Sequence, residues 1–213
     1  LDVYEVINSA IDGYPRTNIP LPGLVGGPCL EKDPFILMQS LEGMDLKLFP
    51  QSRTVNESIV EHAVKRIASN VTQSMGVIQI SILGCAFKGS PPTADIRGSL
   101  IYRIKECLEA KIPNSDFRYH DYLAEQVNAQ DQSLNASDNL KDIISAANVI
   151  ILQNNNPNYA KLNWDDLLSN AAKDCVIYDF WSQLNPKALE NYNYICFFKC
   201  LLRTFCARHV GAF

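Results

Sequence analysis

Residues 77–84 read VIQISILG, an uncharged apolar run that ends on a glycine. Segments with strand-like composition follow at 117–120 (FRYH), 148–153 (NVIILQ), 175–179 (CVIYD) and 193–198 (NYICFF), and helical segments lie between them at about 97–111, 121–128, 138–147 and 164–172. Short strands that alternate with helices are typical of a parallel sheet. The sequence therefore predicts an α/β fold with a Rossmann-like, doubly wound parallel sheet, whose loops gather where the strands end.

The region before this sheet, residues 1–75, shows helical periodicity instead. Apolar residues recur at helical spacing over 3–11, and we expect further helices over about 34–41 and 54–75. Between the first two helices lies YPRTNIPLPGLVGGPCLEKDP (14–34), in which five prolines argue against regular helix or central strand. A long ordered loop of this kind is more often functional than idle.

The change of pattern at Gly76 marks the expected domain boundary. We assign residues 1–75 to a mainly helical region, 76–193 to the Rossmann-like domain and 194–213 to a divergent tail. Potential metal donors in the tail are Cys196, Cys200, Cys206 and His209. Their spacing matches no familiar zinc pattern and their aromatic and leucine neighbours are more typical of a core, so we expect no metal site.

The overall composition excludes several classes of protein. The chain has 213 residues, of which 47% are hydrophobic, and its formal net charge is only -4, so nucleic-acid binding is not expected. No apolar run approaches the roughly 20 residues that span a bilayer, and the first residues, LDVYEVINSAIDG, do not resemble a secretion signal. We therefore expect a cytoplasmic protein without a membrane anchor, in which the seven cysteines are reduced.

The first segment with chemical potential is GGPCLEKD, residues 26–33. Gly26 and Gly27 let the backbone approach a ligand closely, and backbone N–H groups there can stabilise negative charge on oxygen. Lys32 would favour a thiolate at Cys29, and Asp33 could handle protons or orient water. This pattern makes Cys29 a candidate nucleophile, although a cysteine in such a loop is more often a small packing residue.

The second segment is ILGCAFKGSPPTADIRGS, residues 82–99. A strand ends at Gly84, and the following loop carries Lys88, Asp95 and Arg97 toward a helix. Two cations at the carboxyl edge of a strand suit a phosphate or carboxylate ligand. No GxGxxG fingerprint is present, so the sequence does not indicate a primary dinucleotide-binding domain.

Together these segments resemble the UDP-glucose/GDP-mannose dehydrogenase family, whose members carry a GG-x-C-x-x-KD loop and a later G-x-AFK with a downstream D-x-R. Further matching stretches are DVYEVI (2–7), YPR (14–16), ANVIILQNNNPNY (147–159) and VIYDFW (176–181). The resemblance covers residues 1 to about 190 and is nearest to enzymes that oxidise UDP-N-acetylhexosamines. The loop between Phe87 and Arg97 is two residues longer than the common family form.

The resemblance implies a mechanism centred on Cys29. Its counterpart in the family attacks the aldehyde formed at the sugar C6 and gives a thiohemiacetal, which is oxidised to a thioester and hydrolysed to the uronic acid. The aspartate that matches Asp33 assists proton transfer and hydrolysis, and the lysine that matches Lys32 lies near NAD. A thiol suits this chemistry because it forms an adduct with a C–H bond beside an oxyanion and then a labile thioester.

The same resemblance implies the remaining contacts. Phe87 and Lys88, with the glycine pair Gly26 and Gly27, match residues at the nucleotide sugar, and Arg97 matches one that approaches NAD. Arg16 resembles an arginine that reaches the substrate of a neighbouring subunit, which implies a homodimer in the full-length enzyme. We expect the chain to lack the NAD domain and to be inactive alone. The alternative is a non-catalytic UDP-sugar-binding or dimerisation module.

Overall fold

The computed structural model describes residues 3–14, 16, 19–41, 43–44, 47–71 and 76–196. The helices in this part of the chain are α1 (Val3–Ile11), α2 (Pro28–Ser40), α3 (Leu48–Asn70), α4 (Ile101–Lys111), α5 (Ala124–Asn128), α6 (Leu140–Ile144), α7 (Pro157–Ala160) and α8 (Trp164–Leu168). The strands are β1 (Ile78–Leu83), β2 (Ser115–His120), β3 (Val149–Leu152), β4 (Val176–Asp179) and β5 (Asn193–Cys196). A short 3-10 helix covers Gln132–Leu134.

The strands form one parallel sheet in the order β2-β1-β3-β4-β5. Every residue of β1, β3 and β4 is buried, and β3 accordingly reads as a continuous apolar run, VIIL. The two polar residues of β1 are satisfied by backbone oxygens: Gln79 Nε2 donates to Asp116 O and Ser81 Oγ donates to Ile143 O. The chain leaves β1 toward β2 and later returns to β3 on the other side of β1. The strand order therefore reverses between β1 and β3, and ligands of such sheets bind at the carboxyl edge of this switch point.

Helices cover both faces of the sheet. On one face, α3 and α4 pack against Ile80 and Ile82, and on the other, α6 and α8 pack against Ile150 and Leu152. Because successive side chains of a strand point to opposite faces, β1, β3, β4 and β5 contribute residues to both cores. This arrangement confirms the predicted α/β, Rossmann-like fold preceded by a mainly helical segment.

The strands lie where the sequence predicts them, with ends that differ by one or two residues. Four helices are shorter than predicted: α4 begins at Ile101 rather than 97, α5 begins at Ala124 rather than 121, α6 covers only Leu140–Ile144 of 138–147, and α8 ends at Leu168 rather than 172. Helix α7 was not predicted; Asn156 caps it by accepting from Asn158 N. Residues 72–75 of the predicted long helix and 197–213 of the tail lie outside the described residues.

The prediction that α2 begins at Pro34 is wrong, because the helix begins at Pro28. Pro28 occupies the first turn, where its missing N–H has no helical partner to lose. Pro34 lies inside the helix and has no N–H to donate to Leu30 O. Arg53 Nη1 of α3 donates to this oxygen at 3.3 Å, so the neighbouring helix satisfies the carbonyl that the proline leaves open.

The predicted start of α3 at Thr54 is also wrong, since the helix begins at Leu48. Pro50 falls within its first turn, where proline is tolerated because the N–H groups there have no partner within the helix. No helix among the described residues has the length and apolarity needed to cross a membrane.

The N-terminal region is joined to the sheet through Trp181. Its indole Nε1 donates to Gln153 O at 2.9 Å, and Tyr4 Oη of α1 donates to Trp181 O at 3.0 Å. The ring lies so close to Gly23 that no side chain fits there. The buried carboxylate of Asp179, the last residue of β4, accepts from Trp181 N at 2.9 Å. This bond fixes the backbone that carries the indole.

A second junction lies between α2 and the loop after β1. Gly27 N donates to Gly98 O at 2.9 Å, and Gly27 adopts a φ of 110°. A Cβ at Gly27 would lie 2.9 Å from Phe87 Cδ2, and one at Gly98 would meet Gly27 and Glu31. The two loops can pack this closely only because both glycines lack side chains.

A buried histidine lies at the carboxyl end of the edge strand β2. His120, at the end of β2, is fully buried, and its Nδ1 lies 2.8 Å from Tyr159 Oη. The ring of Tyr122 meets the imidazole edge-on, with centroids 4.9 Å apart. Burial lowers the pKa of His120, against smaller opposing effects of Asp121 and Asp138.

Replacing Gly27 by alanine should destabilise the protein more than the same change at Gly43. Both glycines have positive φ, which costs alanine about 1 kcal/mol, but a Cβ at Gly43 meets nothing within 4 Å. The contact with Phe87 should add about 2 kcal/mol at Gly27. Urea unfolding of the two variants measures the difference, and equal losses would contradict the close packing of these loops.

The free energy of unfolding should fall as the pH decreases below about 6.5, the ordinary pKa of histidine. Because folding lowers the pKa of His120, the unfolded state binds more protons between this value and the folded pKa, which favours unfolding. We expect a loss of about 1 kcal/mol per pH unit in that window. Urea unfolding at several pH values should show a weaker slope for His120→Phe than for the natural chain; identical slopes would exclude His120 as the cause.

Candidate functional site

The candidate site is a cleft of about 690 Å³ between the N-terminal region and the carboxyl edge of the sheet. One wall comes from α1 and the loop that leads into α2. The other comes from the loops that follow β1, β3 and β4. Most of its lining is apolar, and of the described lining residues Lys88 alone carries a charge. An apolar cleft with a few polar groups is the usual form of a small-molecule site.

The two predicted motifs meet at one rim of this cleft. Gly26 packs against Gly98 O, and Gly27 packs against the ring of Phe87. Phe87 N donates to Asp95 O at 3.0 Å, which closes the loop after β1 on itself. Gly26 and Phe87 line the cleft directly, so the structure brings residues from both motifs to the same surface.

Lys88 points its charge into this region. Its Nζ lies 5.3 Å from the ring centroid of Phe87, close enough for a cation–π interaction. It has no ion-pair partner within the described part of the chain. An ammonium group without a counter-charge in an apolar cleft is suited to bind an anionic ligand.

Cys29 is exposed in the first turn of α2. The N-terminus of a helix carries partial positive charge, which favours negative charge on a nearby group. Lys32, one turn further, forms an ion pair with Asp33 at 2.6 Å between Nζ and Oδ1. Cys29 and Lys32 are three residues apart in α2 and therefore lie on the same side of the helix. The hydrogen bond with Asp33 raises the pKa of Lys32.

Arg97 is the second cation near Cys29. Its Nε and Nη2 donate to the two oxygens of Asp95, at 3.0 and 2.7 Å. This pairing raises the pKa of Arg97 and lowers that of Asp95, and the charge of Cys29 makes a smaller contribution to Arg97. Arg97 is exposed and lies just before Gly98. The carbonyl of Gly98 accepts from Gly27 N in the glycine loop, which is the pair Gly26 and Gly27. The thiol is therefore close to two cations, each already held by an aspartate.

The predicted residues do not all face the same space. Gly26, Phe87 and Lys88 line the cleft, whereas Cys29, Lys32, Asp33 and Arg97 lie outside its lining, and Leu30 is the α2 residue that lines it. Gly27 is buried between the two groups. Arg16 is exposed and does not line the cleft either. The glycine loop thus separates an apolar cleft from an exposed surface that carries the thiol.

Sequence reasoning missed the part of the cleft formed by the loops after β3 and β4. The residues concerned are Asn155, Trp181, Ser182 and Gln183. The position of the polar run QNNN (153–156) could have indicated this part of the cleft, because the run follows an apolar strand at the edge where ligands of such sheets bind. The hydroxyl of Ser182 is buried and has no hydrogen-bond partner in the described part of the chain. The backbone of Ser182 has a positive φ of 49°.

A larger groove, of about 1010 Å³, lies beside the edge strand β2. Its lining mixes basic and acidic side chains and includes none of the residues predicted to be functional. We therefore place the candidate site in the smaller cleft, where the two sequence motifs meet. The described residues contain no cluster of side chains that could hold a metal ion.

Comparison with known proteins identifies related sequences and folds. Residues 81–186 match the UDP binding domain of the UDP-glucose/GDP-mannose dehydrogenase family. The UDP-N-acetyl-D-mannosamine dehydrogenase of Pyrococcus horikoshii is 27% identical over 173 residues, which cover 78% of this chain and 37% of that enzyme. The enzyme of the same name from Methanococcus aeolicus is 23% identical over 205 residues, covering 91% of this chain and 42% of that enzyme.

Solved structures share the fold. The structure of UDP-D-ManNAc dehydrogenase from Pyrococcus horikoshii has a TM-score of 0.72 at 22% identity and covers 92% of this chain and 44% of its own. A UDP-glucose dehydrogenase from Pyrobaculum islandicum has a TM-score of 0.70 at 21% identity and covers 93% of this chain and 44% of its own.

This chain thus spans less than half the length of the relatives it matches. The sequence match begins within β1 and includes the loop that carries Phe87, Lys88 and Arg97. The five-stranded parallel sheet is the fold that the solved relatives share with it. The chain therefore belongs to the UDP-glucose/GDP-mannose dehydrogenase family, whose UDP binding domain residues 81–186 match.

Proposed function

We propose that this chain supplies the nucleotide-binding and thiol-bearing part of an NAD-dependent nucleotide-sugar dehydrogenase, which oxidises the C6 alcohol of a UDP-sugar to the uronic acid. One observation supports the proposal: the glycine loop lies between a cleft that contains the Lys88 cation and an exposed thiol at the start of α2, on the side where Lys32 and Arg97 also lie. A UDP-sugar that lies across this loop could bind through its nucleotide and react through its sugar.

The proposed substrate is a UDP-N-acetylhexosamine. Two relatives are named as UDP-N-acetyl-D-mannosamine dehydrogenases, which supports this choice within the family. In the cleft, Lys88 would bind the diphosphate, and Gly26 and Phe87 would form the apolar wall beside it. Gly27 would hold the loop against Phe87 beside the bound substrate, because a side chain there would collide with that ring.

The residues outside the cleft would carry the chemistry. The Cys29 sulfur would add to the C6 aldehyde and form a thiohemiacetal, whose oxidation leaves a thioester. Water would then cleave the C–S bond, releasing the acid and returning the thiol. Asp33, held by Lys32, is positioned to orient that water or accept its proton. The nearby cations would stabilise negative charge on sulfur and on the adduct oxygen.

NAD, when bound, accepts the hydride in both oxidations. The exposed cations Lys32 and Arg97 fit the phosphates of a dinucleotide and lie within electrostatic reach of Cys29. The chain contains no GxGxxG fingerprint, so these residues would contact a cofactor held mainly by another domain. We also propose that the full-length enzyme is a cytoplasmic homodimer, in which the exposed Arg16 contacts the substrate of the neighbouring subunit, and that this chain alone does not turn over.

The second candidate is a UDP-sugar-binding module without catalysis. It is favoured by one observation, namely that Cys29 does not line the cleft. A module of this kind would bind UDP, but its thiol would show no special reactivity. The two following experiments therefore test binding and catalysis separately.

UDP should bind the natural chain and bind Lys88→Met at least about tenfold more weakly, because the variant loses the charge–phosphate interaction. Lys173→Met is the matched control, since Lys173 is exposed and does not line the cleft. Isothermal titration calorimetry measures both affinities. An absence of binding by the natural chain would rule out a nucleotide site, and equal affinity of the Lys88 and Lys173 variants would remove Lys88 from it.

Cys29 should react with iodoacetamide at pH 7 faster than Cys107, which is half-buried, and the fast phase should disappear in Cys29→Ser. Exposure alone could produce this difference. The catalytic proposal also requires that Arg97→Met or Lys32→Met slow the reaction severalfold, while Lys173→Met does not. Mass spectrometry of the modified peptides measures the rates. Labelling of Cys29 that ignores both cations would favour the non-catalytic module.

A further inference from the structure

We infer that Asn155 is a ligand-positioning residue of the cleft, whose carboxamide oxygen holds the loop that carries Lys88 and whose amide nitrogen donates to a phosphate oxygen of the nucleotide. The inference rests on the proposed function, because it concerns the ligand of the same site. Asn155 lies three residues after the end of β3, opposite the loop that follows β1.

The carboxamide oxygen binds two successive backbone groups. Asn155 Oδ1 accepts from Gly89 N at 2.8 Å and from Ser90 N at 3.1 Å. Only the oxygen of a carboxamide can accept from two N–H groups, so these bonds fix the orientation of the side chain. Its Nδ2 atom must therefore face away from the loop.

The contact between the two loops is tight. At Gly89 a Cβ would collide with the backbone of Asn156, so the loop after β1 lies directly on the loop after β3. Asn154 Nδ2 adds a bond to Ala86 O at 3.3 Å. Lys88 lies between these attachment points, which restrict where its backbone can move. The hydrogen bonds of Asn155 thus help to fix the backbone of Lys88.

The amide nitrogen remains available for a ligand. Asn155 lines the cleft, and its Nδ2 has no hydrogen bond within the described part of the chain. Lys88 lines the same cleft, where no described lining residue carries a carboxylate. Ser182 also lines the cleft, and its buried hydroxyl has no hydrogen-bond partner among the residues that the structure describes. A cation with neutral donors and no acid suits an anionic oxygen, and phosphate is the anionic group of a nucleotide.

Two variants separate the two roles of Asn155. Asn155→Asp keeps an oxygen that can accept from Gly89 and Ser90, but it replaces the donor by a negatively charged acceptor. Asn155→Ala removes both functions. Asn158→Asp is the control for added charge, because Asn158 is exposed in α7 and does not line the cleft. Each chain is titrated with UDP and with uridine by calorimetry, and its thermal unfolding is recorded.

We expect Asn155→Asp to bind UDP at least about tenfold more weakly than the natural chain, with uridine affinity changed less than about twofold and the unfolding midpoint unchanged. Asn155→Ala should lose UDP affinity and also unfold at a lower temperature. Asn158→Asp should bind UDP like the natural chain. This pattern would assign the amide nitrogen to the phosphates, because a purely structural role would not distinguish UDP from uridine.

The remaining outcomes overturn the inference in different ways. If the natural chain binds UDP and Asn155→Asp binds it equally well, the donor role is wrong while the nucleotide site stands. If Asn155→Asp loses UDP and uridine equally, or unfolds earlier, Asn155 acts only on structure. If the natural chain binds no UDP, the proposed function fails and this inference fails with it.

Discussion

The close approach of the glycine loop to the loop after β1 is the constraint on which the site depends. Gly27 N donates to Gly98 O, and the Phe87 ring occupies the space that a side chain at Gly27 would need. This contact fixes the start of α2, and with it Cys29, relative to the loop that follows β1. Backbone atoms and an aromatic ring supply this junction, which leaves the polar side chains free for ligands.

The charges of the site fall into two zones that this junction separates. Near Cys29, both Lys32 and Arg97 are held by neighbouring aspartates, so the local field is positive but largely compensated. In the cleft, Lys88 has no such partner among the described residues. A compensated pair keeps a cation in a defined place and limits how strongly it attracts ions from solution. An uncompensated one in apolar surroundings attracts an anion more strongly.

The central strands were predictable because they are buried on both faces and therefore read as uncharged, mostly apolar runs, as in IQISIL and VIIL. The start of α2 was not, because Pro34 is normally a signal against helix, and the compensating donor, Arg53, is distant in sequence. The residues of both motifs were visible as patterns of glycine and charge. Their division between cleft and outer surface was not, because it depends on how two loops pack. Asn155 was missed for the same reason, since its neighbours along the chain do not reveal the Gly89 and Ser90 amides that it binds.

The position of Trp181 gives this protein a natural optical reporter. The chain contains two tryptophans, and only Trp181 lines the cleft, whereas Trp164 is buried in the core on one face of the sheet. Because the Trp181 indole is held at Nε1 by Gln153 O and by packing at Gly23, its orientation is defined before any ligand enters. Its emission should respond to what occupies the cleft, while Trp164 serves as an internal reference in the same molecule.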